Sequence, residues 1–182
     1  MVGYRDGVEW EPEHTLAGEL GQAGYQTEMI GKLHLWPKCK RFGFDHMQLA
    51  ESTHHTDHND YTQWLAHQGY KTAEPGVAHG VSANGWVGRP NILPEEHTHT
   101  SWCVNQALEF LQQRDPSAPF FLNISFVDPH PPLTPPAWYY DRYAQRDLPP
   151  PVVGDWAVQF AEPEKGLSVD ASRIRISDHE MH

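Results

Sequence analysis

Apolar residues recur along this chain at two periods, and the points where the period changes divide it into elements. From Glu13 to Ala23 the positions Leu16, Leu20 and Ala23 follow helical spacing, and Thr15 is placed to cap the start. Gly24 ends that run. Tyr25 to Ile30 combines aromatic and β-branched residues and predicts a strand. Trp36 to Thr56 has no period and reads as loop, with two aromatics around a Gly turn in Arg41-Phe42-Gly43-Phe44-Asp45. A helix follows over Tyr61, Trp64, Leu65 and Gln68, capped by Asp57 or Asn59. Gly69 to Asn91 is Gly-rich, carries Pro75 and Pro90, and predicts a long surface loop.

Pro94-Glu95-Glu96 opens another helix, with its acids where the dipole favours them. Val104, Ala107, Leu108 and Leu111 are its predicted buried stripe, and Arg114-Asp115-Pro116 ends it. Pro119 to Val127 is the clearest strand. Its two faces, Phe120/Leu122/Ile124/Phe126 and Phe121/Asn123/Ser125/Val127, are both largely apolar, as in a central parallel strand covered by helices. Trp138 to Tyr143 predicts a short aromatic helix, and Pro149-Pro150-Pro151 leads into an extended linker. Ser177 and Glu180 fit a capping box at the start of a further helix. Helix then strand, twice over, predicts an α/β fold with a mostly parallel central sheet flanked by helices.

That architecture gives two loops a meaning. Gly31 follows the first strand, and Lys32 and His34 come next, which an extended backbone would place on one side. Asp128-Pro129-His130-Pro131-Pro132 follows the second strand, and its prolines hold the His130 backbone with little entropy left to lose. Ligands of open α/β sheets sit at the carboxyl ends of strands. A cation and imidazoles there suit an anion, and the same residues also fit ordinary surface turns. His97 and His99, at a helix entrance, are open to the same two readings.

Composition narrows the ligand. The chain has 182 residues, enough for one domain with a core, and a formal net charge of −11 with 13 Lys+Arg. That balance argues against nucleic acid and against an anionic membrane surface, so an anionic ligand must be drawn by a local positive site. The 13 histidines and 16 prolines predict much loop and titratable pockets. Cys39 and Cys103 have no metal spacing. The run His54-His55-Thr56-Asp57-His58-Asn59-Asp60 has the composition of a metal site, but its spacing favours a helix start. No apolar run approaches a membrane span, and Met1-Val2-Gly3-Tyr4-Arg5-Asp6 has no secretory apolar region, so localisation stays open.

The first loop also carries a resemblance. Thr15-Leu16-Ala17, Leu20, Ala23-Gly24-Tyr25, Thr27 and Ile30-Gly31-Lys32-Leu33-His34-Leu35 resemble the second signature of the sulfatase family, in the alkaline phosphatase superfamily. Leu33 stands where the usual form has an aromatic residue. Pro119-Phe120-Phe121-Leu122 through Asp128-Pro129-His130-Pro131-Pro132, then Thr134-Pro135-Pro136, Tyr139, Tyr143 and Asp147-Leu148-Pro149, continue the likeness, as does Gly43-Phe44-Asp45. The resemblance implies a partial alkaline-phosphatase-like sandwich over residues 1–150, with residues 151–182 as linker and the start of a truncated helix. It implies hydrolysis of a small-molecule or saccharide sulfate ester by a formylglycine nucleophile and a divalent cation, usually calcium. Lys32 would hold a sulfate oxygen, His34 would contact the sulfate or the nucleophile, and His130 would bind the ester oxygen and donate the proton.

The departures from the family pattern are specific. Neither Cys39-Lys40-Arg41 nor Cys103-Val104-Asn105 has the Cys-x-Pro-x-Arg form of the nucleophile. No Asp-Asp pair precedes the first helix, and Ser177-Asp178-His179-Glu180 lacks the Gly of a metal-ligating turn. The chain is therefore expected to cover the middle of the catalytic domain, to lack metal ligands, to be inactive alone, and to self-associate through exposed sheet edges. The alternatives are a phosphonate or phosphodiester hydrolase of the same superfamily, and a non-catalytic anion- or metal-binding remnant.

Overall fold

Thr15 starts the first element as the sequence predicts. Its hydroxyl accepts the Gly18 N–H at 3.0 Å, and the first helix, α1 (Leu16–Gln22), begins behind it. Past the helix, the N–H of Gly24 bonds Gly21 O and the N–H of Tyr25 bonds Leu20 O, each at 3.0 Å. This double bond pattern needs a left-handed residue at Gly24, where φ is 89°. Leu16 is 66% exposed and Ala17 is buried, so the inward face is offset by one residue from the expected stripe.

The computed structural model describes residues 7–51, 59–70, 88–147, 149 and 154–155. The run His54–His58, residues 71–87, the box from Ser177 to Glu180 and nearly all of the 151–182 segment lie outside them. The chain divides into two compact units, Met1–Glu74 with Glu95–Asp128, and Pro75–Pro94 with Pro129–His182.

The first unit holds a three-stranded, wholly parallel sheet of order β2-β1-β3. The strands are β1 (Gln26–Gly31), β2 (His46–Leu49) and β3 (Phe120–Ser125). β1 is the central strand, with Glu28 opposite His46 on one side and Leu122 on the other. Met29 and Ile30 are completely buried, worth about 1.5–3 kcal/mol each. The buried polar residues of β1 are answered across the sheet. Thr27 N–H and hydroxyl both donate to Asp45 Oδ2, at 2.9 and 3.0 Å. The Glu28 carboxylate receives His46 Nδ1 at 2.8 and 2.9 Å.

Three expectations need correction. β2 lies inside the stretch read as loop: four residues with no β-branched member give no strand signal, and pairing with β1 creates the strand. β3 is an edge strand among the described residues, so the position predicted to be central belongs to β1. The helix expected from Pro94 is a 3₁₀ turn (Glu95–His97) followed by the true helix, which opens at His99 with Thr98 as cap. A second helix, α2 (Asp60–His67), is capped by Asn59, one of the two expected residues.

The helix His99–Gln113, here α3, also buries a different stripe. Of the expected positions Ala107 is buried, together with Trp102 and Cys103, whereas Val104, Leu108 and Leu111 are 41%, 51% and 40% exposed. Both sets satisfy helical spacing, so periodicity alone does not choose between them. Phe120, Ile124 and Phe126 of the β3 segment are also exposed.

In the second unit, Arg89 N–H bonds Leu133 O at 3.0 Å and Asn91 N–H bonds Pro135 O at 2.8 Å. The helix α4 (Ala137–Ala144) follows Pro136, where the short aromatic helix was expected. Among the described residues no helix is long and apolar enough to cross a membrane.

Candidate anion site

β1 ends where a side chain would not fit. Gly31 has φ 103°, and a Cβ there would stand 2.0 Å from Ser125 O. That close approach lets the Lys32 N–H donate to the same Ser125 carbonyl at 2.9 Å, so the turn after β1 is sewn to the end of β3. On the other side, Ala50 N–H bonds Gly31 O at 3.0 Å, which carries the ladder one residue beyond β2.

The next residue is Glu51, and it governs the loop. Its Oε1 accepts the backbone N–H groups of Leu33 at 2.8 Å and His34 at 2.9 Å. His34 itself has φ 52°, a left-handed conformation uncommon outside glycine. The segment is therefore a turn, not the extended run in which Lys32 and His34 would share a side by alternation. Lys32 is half-buried and His34 exposed, two residues apart in a backbone tied to both neighbouring strands.

Behind this turn lies a neutral histidine. His99, the first residue of α3, has its Nε2 2.9 Å from Ala50 O, so that nitrogen carries the proton and donates. Nδ1 is then an acceptor and faces the Cys103 thiol at 3.8 Å. Burial pushes the His99 pKa below the ordinary imidazole value, against the opposing pull of the Ala50 carbonyl, Asp128 and Glu51. Tyr61 packs edge-on to this ring at 5.4 Å and donates its hydroxyl to His97 O at 2.9 Å. Asp128, just after β3, accepts the Thr100 hydroxyl at 2.8 Å. Of the two histidines at the helix entrance, His99 is thus a structural hydrogen-bonding residue, and His97 packs between Trp64 and Tyr70 at 5.4 and 5.1 Å.

His130 belongs to the second unit. Its Nδ1 lies 2.7 Å from Pro131 O and donates to it. The ring is thereby oriented, and Nε2 is the nitrogen left for a ligand. Proton donation from Nε2 requires the doubly protonated ring, which the Pro131 carbonyl accommodates because it takes a proton donor in either state.

Neither cysteine has the environment of a nucleophile. Burial pushes the Cys103 thiol up to about 12. Cys39 is exposed, and its thiol is raised by partial burial and by the carboxylates of Asp60 and Glu51. Among the described residues no group of three or more His, Cys, Asp or Glu side chains could hold a metal ion. The divalent cation that the resemblance implies has no fitting donor set there, and no step below runs through it.

Glu51 is the residue that sequence reasoning missed. Its partners are backbone amides 17 and 18 positions away, and no spacing rule reports such a pairing. The sole available signal is a carboxylate placed two residues past a buried leucine, which is too common to carry a prediction.

The sulfatase family profile matches residues 2–150. An arylsulfatase of Clostridium perfringens is 39% identical over 182 residues, an alignment covering 93% of this chain and 38% of that enzyme. An N-acetylglucosamine-6-O-sulfatase of Bacteroides thetaiotaomicron is 28% identical over 118 residues, covering 65% of this chain and 17% of the relative. Among solved structures, the phosphonate monoester hydrolase of Agrobacterium radiobacter matches with a TM-score of 0.50 at 22% identity, over 70% of this chain and 28% of the other. The latter likeness shows the alkaline-phosphatase-like hydrolase fold. The chain spans about two fifths or less of the length of each of these relatives. The chain belongs to the sulfatase family.

Proposed function

We propose that this chain is the oxyanion-binding portion of a sulfuric ester hydrolase, acting in the complete domain on a small-molecule or saccharide sulfate ester. The observation that carries this is the turn after β1. Lys32 and His34 stand at the carboxyl end of the central strand, held by Ser125 and Glu51 in a conformation that leaves little freedom. Lys32 supplies a point charge to a non-bridging oxygen, and His34 contacts the same tetrahedral group. The role the family resemblance gives His130, in the second unit, is to take the ester oxygen and protonate it as the bond to sulfur breaks, and its Nε2 is the nitrogen that could do so when the ring is doubly protonated. The nucleophile and the cation, for which calcium is the candidate, fall to residues this chain does not match. The chain alone therefore binds sulfate without turnover. The identity to the Clostridium arylsulfatase supports a sulfate ester over a phosphonate ester.

The test is direct. Purified chain with calcium and an aryl sulfate is expected to give no product, and calorimetry is expected to detect inorganic sulfate binding. Lys32→Ala should weaken that binding about ten- to a hundredfold, the equivalent of one charge-assisted hydrogen bond of about 1.5–3 kcal/mol. Metal-dependent turnover by the chain would overturn the claim that it lacks the nucleophile. Sulfate binding that ignores both Lys32→Ala and His130→Ala would favour a generic anion-binding remnant.

A further inference from the structure

We propose that Glu51 is the positioning residue of the oxyanion site, filling the backbone amide pocket of the turn so that substrate is bound by side chains alone. The inference rests on the reading of Lys32 and His34 given above. Two successive N–H groups aimed at one point form a concavity that binds anions. In the turn after β1 those groups are Leu33 and His34, and the anion is the protein's own carboxylate, at 2.8 and 2.9 Å. The amides are thus already used, and Glu51 selects the left-handed backbone of His34.

Glu51 is itself held on both sides. Asn59 is buried and caps α2 through Oδ1, while its Nδ2 donates to Glu51 O at 2.8 Å. His99 holds the preceding Ala50 carbonyl at 2.9 Å. The remaining carboxylate oxygen, Oε2, is buried with no hydrogen-bond partner among the described residues. A buried acceptor without a partner destabilises a fold. A residue serving packing alone would not need this carboxylate, whereas one that must reach two amides from the next strand does.

Two variants separate the possibilities. Glu51→Gln keeps an acceptor oxygen at the amides and removes the charge. Glu51→Ala removes the acceptor. Amide hydrogen exchange at Leu33 and His34 reads the turn, and calorimetry with inorganic sulfate reads the site. Glu51→Ala is expected to lose protection at both amides and to weaken sulfate binding about tenfold or more, as misplaced binding groups do. Glu51→Gln is expected to retain protection and to bind sulfate at least as well as the natural chain, because a negative charge beside the anion has gone. Should Glu51→Ala not fold, Glu51→Asp, one methylene short of both amides, takes its place with the same expectation. Unchanged protection in the alanine variant overturns the inference. So does lost protection with unchanged sulfate affinity. Tighter binding by Glu51→Ala would mean that the carboxylate competes with sulfate for the amides. If the natural chain binds no sulfate while protection still depends on Glu51, the site reading fails and Glu51 is left as a purely structural clamp.

Discussion

Replacing Gly31 by alanine tests the geometry on which the site depends. Two costs apply, and they have different origins. A φ of 103° is a backbone state that alanine adopts at about 1–3 kcal/mol. The added Cβ would also stand 2.0 Å from Ser125 O, 2.9 Å from Ser125 C and 3.3 Å from Cys103 Sγ. The first two are backbone atoms of β3, so no side chain can swing aside, and relief requires β1 and β3 to separate. Overpacking of this kind costs about 1–3 kcal/mol. Against these stands a gain of about 0.4–1 kcal/mol from a stiffer unfolded chain. The net destabilisation is about 1–6 kcal/mol, and for a chain of this size each kcal/mol lowers Tm by about 2–4 °C. Gly24→Ala is the internal control. Its φ of 89° carries a similar backbone cost, but nothing lies within 4 Å of its Cβ position. Urea unfolding of both variants should therefore find Gly31→Ala the more damaging by about 1–3 kcal/mol, the overpacking cost alone. Equal destabilisation would refute the claim that β3 closes directly over the end of β1.

Other consequences are separate and cheaper to check. The folded pKa of His99 lies below its unfolded value, so unfolding takes up a proton once the pH falls below about 6.5. Stability from this group is complete above that pH and is lost as the pH drops through the folded value. His99→Gln should flatten the slope of urea stability between about pH 5 and 7, a window set by the ordinary imidazole value. A thiol reagent at pH 8 should label Cys39 in the folded chain and reach Cys103 only on unfolding, since Cys103 is buried with its thiol raised to about 12. The exposed Val104, Leu108 and Ile124 should drive concentration-dependent association, visible by sedimentation velocity. Leu108→Lys should reduce that association without lowering Tm, because the side chain is already 51% exposed.

The fold was legible where a residue acts on its immediate neighbours. Thr15 and Asn59 cap α1 and α2 as their side-chain chemistry demands, and Gly24 terminates α1 through its own φ. It was illegible where a partner far along the chain decides. β2 exists because His46 to Leu49 meet Glu28 to Gly31, and none of those four residues favours a strand by itself. α3 offers two apolar faces to any periodicity argument, and which one is buried depends on the sheet it meets. Both faces of β3 are largely apolar in sequence, but a strand at the edge among the described residues looks the same in sequence as a central one.

The site divides along the same line. Lys32 and His34 could be singled out because they follow a strand, and strand ends collect ligands for a topological reason. What makes them usable could not be seen. With a net charge of −11, this protein repels sulfate at long range, but ionic screening limits that repulsion to about 8 Å at physiological salt. Within that distance the fate of each carboxylate matters more than the total. Glu51 spends one oxygen on two amides, and Asp128 accepts the Thr100 hydroxyl, so both charges are partly answered by local donors. On the proposed reading, the Lys32 ammonium then sets the local sign, although the chain as a whole is acidic. It follows that sulfate affinity should respond more to Lys32→Ala than to the loss of any surface acid. Raising salt from 0.05 to 0.5 M should weaken binding only modestly, because a half-buried contact is screened less than an exposed one. A steep salt dependence would instead assign the binding to scattered surface cations, and the turn after β1 would lose its claim to be the site.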